Sequence, residues 1–356
     1  MSTTSTMSTA GTTGATGAVV VYGATGHTGR FIVAELRRRG IATVVSGRNA
    51  DRLAALAAEG AGDVLVRPAA VDDPASLDRA LAGAAAVINA AGPFATTGGP
   101  IVEAALRAGI PYVDVAAEIE ANAAMFADRA EAARTAAVPV VPAMAFYGGL
   151  GDLLVAAAMG EWTAADEVHV AYGLSSWQPT AGTREAGEVS HERRGGRRVR
   201  FADGALQYHG DELSEQEWLF PEPLGRRTVI AEFTMADVVT VPSHVAVPEV
   251  RTYMAVEAAR DLAGADTPAP EAVDDLGRSD QTFVVDVLVR AGGAERRATA
   301  RGRDIYAVTA PLAVEAVERL LSGRTRTTGV ASAAAMFDAP DFLRALAPYL
   351  SVEVSH

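Results

Sequence analysis

Residues 18–30, Ala18-Val19-Val20-Val21-Tyr22-Gly23-Ala24-Thr25-Gly26-His27-Thr28-Gly29-Arg30, decide the fold. The apolar β-branched run ending at Tyr22 suits a strand buried on both faces. The glycines after it let the chain turn back without a Cβ clash, and a helix opens near Gly29. Strand, glycine turn and helix in that order aim bare N–H groups from a helix end that carries about half a positive charge, a cradle for a pyrophosphate. Gly23, Thr25, Gly26, His27, Thr28 and Gly29 are therefore expected to bind a dinucleotide. The spacing is G-x-x-G-x-x-G, so the first turn is one residue longer than in the G-x-G-x-x-G fingerprint.

Outward from this turn, β-rich runs alternate with helical stretches. Strands are expected at Ala18–Gly23, Ala42–Gly47, Asp63–Arg67, Ala85–Ala91, Tyr112–Ala116 and Val138–Pro142. Helices are expected near Gly29–Arg39, Ala50–Ala58, Pro74–Leu81, Pro100–Ala108 and Ile119–Ala136, with Gly40, Gly60, Gly83 and Gly109 closing four of them. The pattern predicts an α/β fold with a doubly wound parallel Rossmann-type sheet over residues 18–160.

The end of the second strand selects the cofactor. A site for NAD usually carries an acid there for the ribose 2′-OH, whereas this chain reads Ser46-Gly47-Arg48-Asn49. A guanidinium and a hydroxyl invite a phosphate, so NADP (NADPH) is expected, held by Ser46, Arg48 and Asn49. Asp72 suits the adenine amino group, although Asp72 or Asp73 would equally cap the helix at Pro74. Asn89-Ala90-Ala91-Gly92-Pro93 ends the fourth strand where the winding reverses, so Asn89, Ala91, Gly92 and Pro93 are expected beside the nicotinamide.

Composition narrows the chemistry. There is no cysteine and, among 31 basic residues, no lysine. Thiolate nucleophiles, iron–sulfur clusters, Schiff-base lysines and a Tyr-Lys acid pair are all excluded. The six histidines show no metal spacing, and no metal is expected. A net charge of −13 repels nucleic acid over about a Debye length, roughly 8 Å at physiological salt. No apolar run approaches the roughly 20 residues of a membrane span. Residues 1–17 lack a cationic start and read as a disordered tail rather than a signal peptide, so a cytoplasmic location is expected.

Beyond residue 160 the grammar changes. Runs at Glu167–Leu174, Arg227–Phe233, Asp237–Val241 and Glu249–Met254, and a hairpin of Gln281–Arg290 with Arg296–Ala307, predict a second α+β domain with a mixed or antiparallel sheet. Residues 161–308 are assigned to substrate binding and dimerisation, which leaves room for a homodimer. Residues 309–356 form a helical segment free to pack back on the first domain.

GATGHTGR, SGRN, INAAGPF, PYVDVAAE and VPAMAFYGGLGD together resemble the saccharopine dehydrogenase-like family across the first 155 residues, and GRDIYAVTA at 302–310 resembles its actinobacterial members more weakly. The resemblance implies NADP(H) and an inserted α/β substrate domain. Relatives include saccharopine-forming and polyamine-forming imine reductases and enoyl reductases acting in trans.

The ends of strands five and six should border the nicotinamide, which brings in Asp114, Glu118 and Tyr147. Tyr147 sits in a flexible Phe146-Tyr147-Gly148-Gly149 turn and suits a proton donor, or an aromatic packed at a domain junction. Glu118 opens a helix, where the dipole alone accounts for it. Arg193, Arg194, Arg197, Arg198 and Arg200 read as a solvated hairpin, or as a dock for an anionic carrier. The leading expectation is an NADPH-dependent reductase of a polarised double bond in a small-molecule or carrier-bound biosynthetic intermediate. The alternatives are an amino-acid imine reductase, with Arg184 or Arg251 as carboxylate clamps, and a non-catalytic NADP(H) sensor.

Overall fold

The structure is a computed structural model that describes residues 17–59 and 64–355. Gly60, Asp63 and nearly all of the expected tail lie outside the described residues. The first half runs β1 (Val19–Tyr22), α1 (His27–Arg38), β2 (Thr43–Gly47), α2 (Ala50–Ala58), β3 (Leu65–Pro68), α3 (Pro74–Leu81), β4 (Ala86–Asn89), α4 (Phe94–Ala108), β5 (Tyr112–Asp114), α5 (Ile119–Asp128), α6 (Ala130–Ala136) and β6 (Val140–Val141).

The six strands pair in parallel in the order β3-β2-β1-β4-β5-β6. Val19 lies between Thr43 and Ala86, so β1 is central and the winding reverses between β1 and β4. Strands β1 and β4 are buried at every position because helices cover both faces, which explains their unbroken apolar runs.

Two helices depart from the sequence reading. Helix α4 starts at Phe94, with Pro100 inside its second turn, because the Glu118 carboxylate supplies the cap that the local sequence lacks. The expected Ile119–Ala136 helix breaks in two at Arg129, whose φ of −114° and ψ of −11° stretch the turn without leaving right-handed space.

The second half comprises α7 (Gly151–Met159), β7 (Glu167–Leu174), α8 (Ala181–Arg193), β8 (Arg198–Ala202), β9 (Ala205–His209), β10 (Glu215–Leu219), β11 (Arg226–Ala231), α9 (Asp237–Thr240), β12 (Val250–Ala255), α10 (Val256–Ala263), β13 (Thr282–Ala291), β14 (Ala294–Arg303), α11 (Ile305–Leu321), α12 (Ala333–Met336), α13 (Ala339–Ala345) and β15 (Leu350–Ser355). Its sheet has nine strands and is mixed: β7 and β12 are parallel, the other pairs antiparallel. Gly292 and Gly293, both at positive φ, close the β13–β14 hairpin. Residues 237–241, expected as a strand, are instead a helical turn. Val238, Val239 and Val241 are buried by packing rather than pairing, and Pro242 offers no amide for a ladder.

The halves share one core. Ile32 and Leu36 of α1, Leu153 and Leu154 of α7, Val285 of β13 and Val314 and Val317 of α11 belong to a single buried cluster. Helix α11 is tied to α1 by charge as well: Arg39 bonds Glu35 at 2.6 Å and Glu315 at 2.8 Å. The chain then returns past β6, where Val140 exchanges hydrogen bonds with Gly329 and Ala331, before β15 joins β14.

Candidate functional site

The glycine turn lies at the carboxyl end of β1, beside the switch point. Gly23 adopts φ +83°, and a Cβ on it would stand 2.7 Å from the Ala91 nitrogen. A Cβ on Gly29 would fall 2.2 Å from the Gly23 carbonyl oxygen. Both glycines are thus fixed by close main-chain approach, and Gly26, exposed, caps α1 with no side-chain bond to its first turn. Those amides await an anion. Thr25 and Thr28 are half-buried on the same lip.

Arg48 is exposed at the end of β2, with no ion-pair partner among the described residues. Asp73 takes the cap of α3, accepting from the Ser76 amide at 3.2 Å, which leaves Asp72 exposed and uncommitted. Arg48 and Asp72 share one rim, since both act on the Tyr22 phenol: burial raises its pKa most, Arg48 lowers it and Asp72 raises it.

Other expected cofactor contacts are corrected. Ser46 is fully buried and its hydroxyl donates to the Arg67 carbonyl at 2.7 Å, so it braces β3 and does not face a phosphate. The Asn49 side chain caps α2 through the Arg52 amide. Asn89 is fully buried; its Oδ1 accepts from the Ala91 amide at 3.1 Å and its Nδ2 reaches Thr97 and Tyr112. It shapes the Ala91-Gly92-Pro93 turn from below. Gly92 is exposed there, and a Cβ on it would stand 3.7 Å from the Ala186 Cβ, so α8 roofs the crevice.

Two carboxylates expected at the catalytic site are engaged by main-chain amides. Asp114, 1% exposed, accepts from the Ala116 and Ala143 amides and the Tyr112 hydroxyl, clamping the ends of β5 and β6. Burial raises its carboxyl to about 6 against those bonds. Glu118 accepts from the Phe94 and Ala95 amides at 2.7 and 2.9 Å, capping α4. Burial again pushes its pKa up, and the two amides pull it down.

Tyr147 stands apart. Gly148 beside it takes φ +95° and has no room for a Cβ between Ala236 and Ala143, which sets the turn. The ring packs on Phe146, Tyr172 and Trp177, and its hydroxyl has no hydrogen-bond partner although the residue is 8% exposed. Burial first, then Tyr306 and Asp237, hold the phenol well above its ordinary pKa, so it stays protonated.

Sequence reading missed Trp177 and Tyr306. The Tyr306 ring meets His27 edge-on at 5.1 Å, joining α11 to the glycine turn. Its position is set by Asp304, whose Oδ1 caps the Tyr306 and Ala307 amides. The Tyr306 hydroxyl is already bonded to the Thr180 amide, Thr183 Oγ1 and the Gln178 carbonyl. The Nε2 of half-buried His27 is without a partner, and burial lowers its pKa, so the ring is neutral. The glycine cradle, the uncommitted first turn of α1, unpaired Arg48 and this orphaned nitrogen together fit an NADP(H) molecule with its 2′-phosphate at Arg48.

Deeper still, Tyr172 donates to Asp237, whose carboxyl burial raises to about 7, and Asp152 holds His244 at 2.6 Å. Elsewhere, His209, Asp211 and Glu232 bring possible ligand atoms within 4.8 Å of one another, but Arg200 already pairs both acids at 3.2 and 3.3 Å. Part of the arginine cluster is similarly engaged: Arg194 bonds Ser190, and Arg198 bonds main-chain carbonyls of residues 211, 212 and 231. An open cleft of about 610 Å³ lies on the second sheet, lined in part by Ser175, Arg226 and Glu257, and does not reach the glycine turn.

A Rossmann-type sheet with this cradle at its switch point defines a dinucleotide-binding protein. Residues 19–138 match the family model described as the saccharopine dehydrogenase NADP binding domain. A saccharopine dehydrogenase-like oxidoreductase of Mus musculus is 30% identical over 153 residues, covering 38% of this chain and 35% of that protein. A probable mitochondrial saccharopine dehydrogenase-like oxidoreductase of Arabidopsis thaliana is 31% identical over 132 residues, covering 32% of this chain and 29% of that protein. The chain thus matches about a third of the length of these curated relatives. A solved structure, the apo histidine-tagged saccharopine dehydrogenase (L-Glu forming) from Saccharomyces cerevisiae, shares the fold at TM-score 0.64 and 13% identity, over 96% of this chain and 100% of that one. Residues 19–138 thus carry an NADP binding domain of the saccharopine dehydrogenase type. No helix among the described residues is long and apolar enough to cross a membrane.

Proposed function

We propose that this chain is an NADPH-dependent reductase of a polarised double bond in a biosynthetic intermediate, with Tyr147 as the proton donor. The observation that carries this reading is the unpartnered Tyr147 hydroxyl, buried among aromatic rings next to the helix that contacts the glycine turn. A buried hydroxyl without a partner costs about 1–3 kcal/mol, a cost offset when a substrate atom takes the bond. NADPH, when bound, supplies a hydride.

This chain's residues do the rest. Asn89 and Glu118 hold the Ala91–Pro93 turn against which the nicotinamide ring would rest, and Ala186 of α8 approaches that turn at Gly92. Tyr147, protonated throughout the neutral range, passes its proton to the atom on which negative charge develops and recovers one from water. An alkoxide or amide anion is a far stronger base than a phenolate, so the transfer runs downhill even from a phenol of raised pKa.

An amino-acid imine reductase would need a cation for the substrate carboxylate. Arg184 is bound to the carbonyls of Leu262, Gly264 and Thr267, and Arg251 to Glu249, so neither supports that reading. The test is NADPH oxidation by the purified chain against enoyl, keto and imine compounds. Turnover of at least one class is expected; NADPH binding without turnover of any would favour the sensor.

A further inference from the structure

Tyr147 is one of two unpartnered donors in the same aromatic cluster. Trp177 is 5% exposed, and its indole Nε1–H also lacks a hydrogen-bond partner. The two rings lie 5.1 Å apart between centroids, tilted by 33°. The Tyr306 hydroxyl is bonded by Thr180, Thr183 and Gln178, and Trp177 acts on it as a further donor without reaching full hydrogen-bond geometry. The Tyr172 hydroxyl is likewise spent on Asp237. Trp177 is held in place by its own main chain, whose amide donates to Asp261 at 2.9 Å, while Gln281 grips the Ser176 carbonyl at 2.6 Å.

An indole N–H only donates, and a phenol that stays protonated donates first. Two such donors side by side fit one acceptor oxygen with two lone pairs, in the manner of an oxyanion hole. A carboxylate is a poor match for two neutral donors, and Arg184 and Arg303, which flank Trp177 and Tyr306 in sequence, are bonded to main-chain carbonyls. We infer that Trp177 is the second hydrogen-bond donor to the substrate, and that the site takes an uncharged carbonyl compound, a ketone or a conjugated enone, rather than an amino or imino acid.

This rests on the reductase reading. Hydride from NADPH adds to the carbonyl carbon, or to the β-carbon of an enone, and the π pair moves onto the oxygen held by Trp177 and Tyr147. The Tyr147 proton then passes to that oxygen, giving an alcohol, or an enol that tautomerises to the saturated ketone. NADP⁺ and a tyrosinate remain, and water reprotonates the tyrosinate.

The test uses the full chain with NADPH and two matched panels, uncharged ketones and cyclic enones against 2-keto acids with and without ammonia. Calorimetric affinity for NADPH and the melting temperature accompany every variant. The uncharged panel should be turned over, and Trp177→Phe, which keeps the ring but loses the N–H, should lower kcat/KM at least tenfold with NADPH affinity unchanged. Should Trp177→Phe unfold the chain, benzothienylalanine at this position, with sulfur in place of the N–H, should give the same tenfold loss. Turnover of the acids alone, or full activity in the variant, would overturn the inference and leave the reductase reading standing. Tight NADPH binding with no turnover in either panel would overturn both.

Discussion

Gly23 and Ala91 meet main chain to main chain: a Cβ on Gly23 would stand 2.7 Å from the Ala91 nitrogen, at a φ of +83° that L-residues rarely adopt. The end of β1 and the turn after β4 are thereby locked together at the place where the pyrophosphate and the nicotinamide would lie. Gly23→Ala should lower NADPH affinity at least tenfold and the melting temperature by several degrees, since strain of about 1–3 kcal/mol has no outlet. Gly187→Ala is the internal control. It lies in α8, a Cβ there meets nothing within 4 Å, and the exchange should stabilise by about 0.5–1 kcal/mol. Calorimetry and thermal melts on both variants decide it.

Arg48 shares its rim with Asp72 but has no ion-pair partner among the described residues, so its charge is available to a 2′-phosphate. Arg48→Asp should weaken NADPH by two orders of magnitude or so, about 2.8 kcal/mol, while NADH changes little. Equal losses for the two cofactors in a fluorescence titration would refute the assignment.

Glu118 caps α4, and we expect it to take no part in proton transfer. Glu118→Ala removes acceptors from two amides and should cost about 1–2 kcal/mol of stability. The pH profile of kcat should keep both of its limbs. Loss of a limb would restore Glu118 to the catalytic machinery.

Asp237, like Asp114, contributes to the pH dependence of stability. Its carboxyl is raised by burial from 3.8 to about 7, and the Tyr172 hydroxyl only partly opposes this. Below about pH 4 both folded and unfolded chains hold the proton and the stability is fully present. Between about 4 and 7 the unfolded chain ionises first, so stability falls, by up to a few kcal/mol, and it levels off above about 7. Asp237→Asn should abolish that fall, so the urea midpoints of variant and wild type should diverge as pH rises from 5 to 8. Parallel curves would contradict the shift.

The parts of this site that were legible in sequence are those whose physics is local. The glycine turn, Arg48 and the cap at Asp73 each follow from neighbours within a few residues. The parts misread are bonds to amides brought near only by the sheet. Ser46 reaches residue 67 across a strand pair, Asp114 reaches Ala143 and Glu118 reaches Phe94, so each looked unengaged in the sequence and is bonded within the fold. Trp177 and Tyr306 carry no motif of their own. Only the packing of α11 on the glycine turn, and of the segment after β7 on Tyr147, makes them neighbours. The signal that existed was Asp304 before Tyr306, a helix cap that fixes the ring two residues on.

The structure of the complex with NADP⁺ tests the central claim most directly. The nicotinamide should lie over Ala91–Pro93 beneath α8, with one face of its C4 turned toward the Tyr147 hydroxyl and the Trp177 indole. A ring turned to solvent, or a C4 packed on both faces against protein, would contradict the assignment of this cleft as a reductive site.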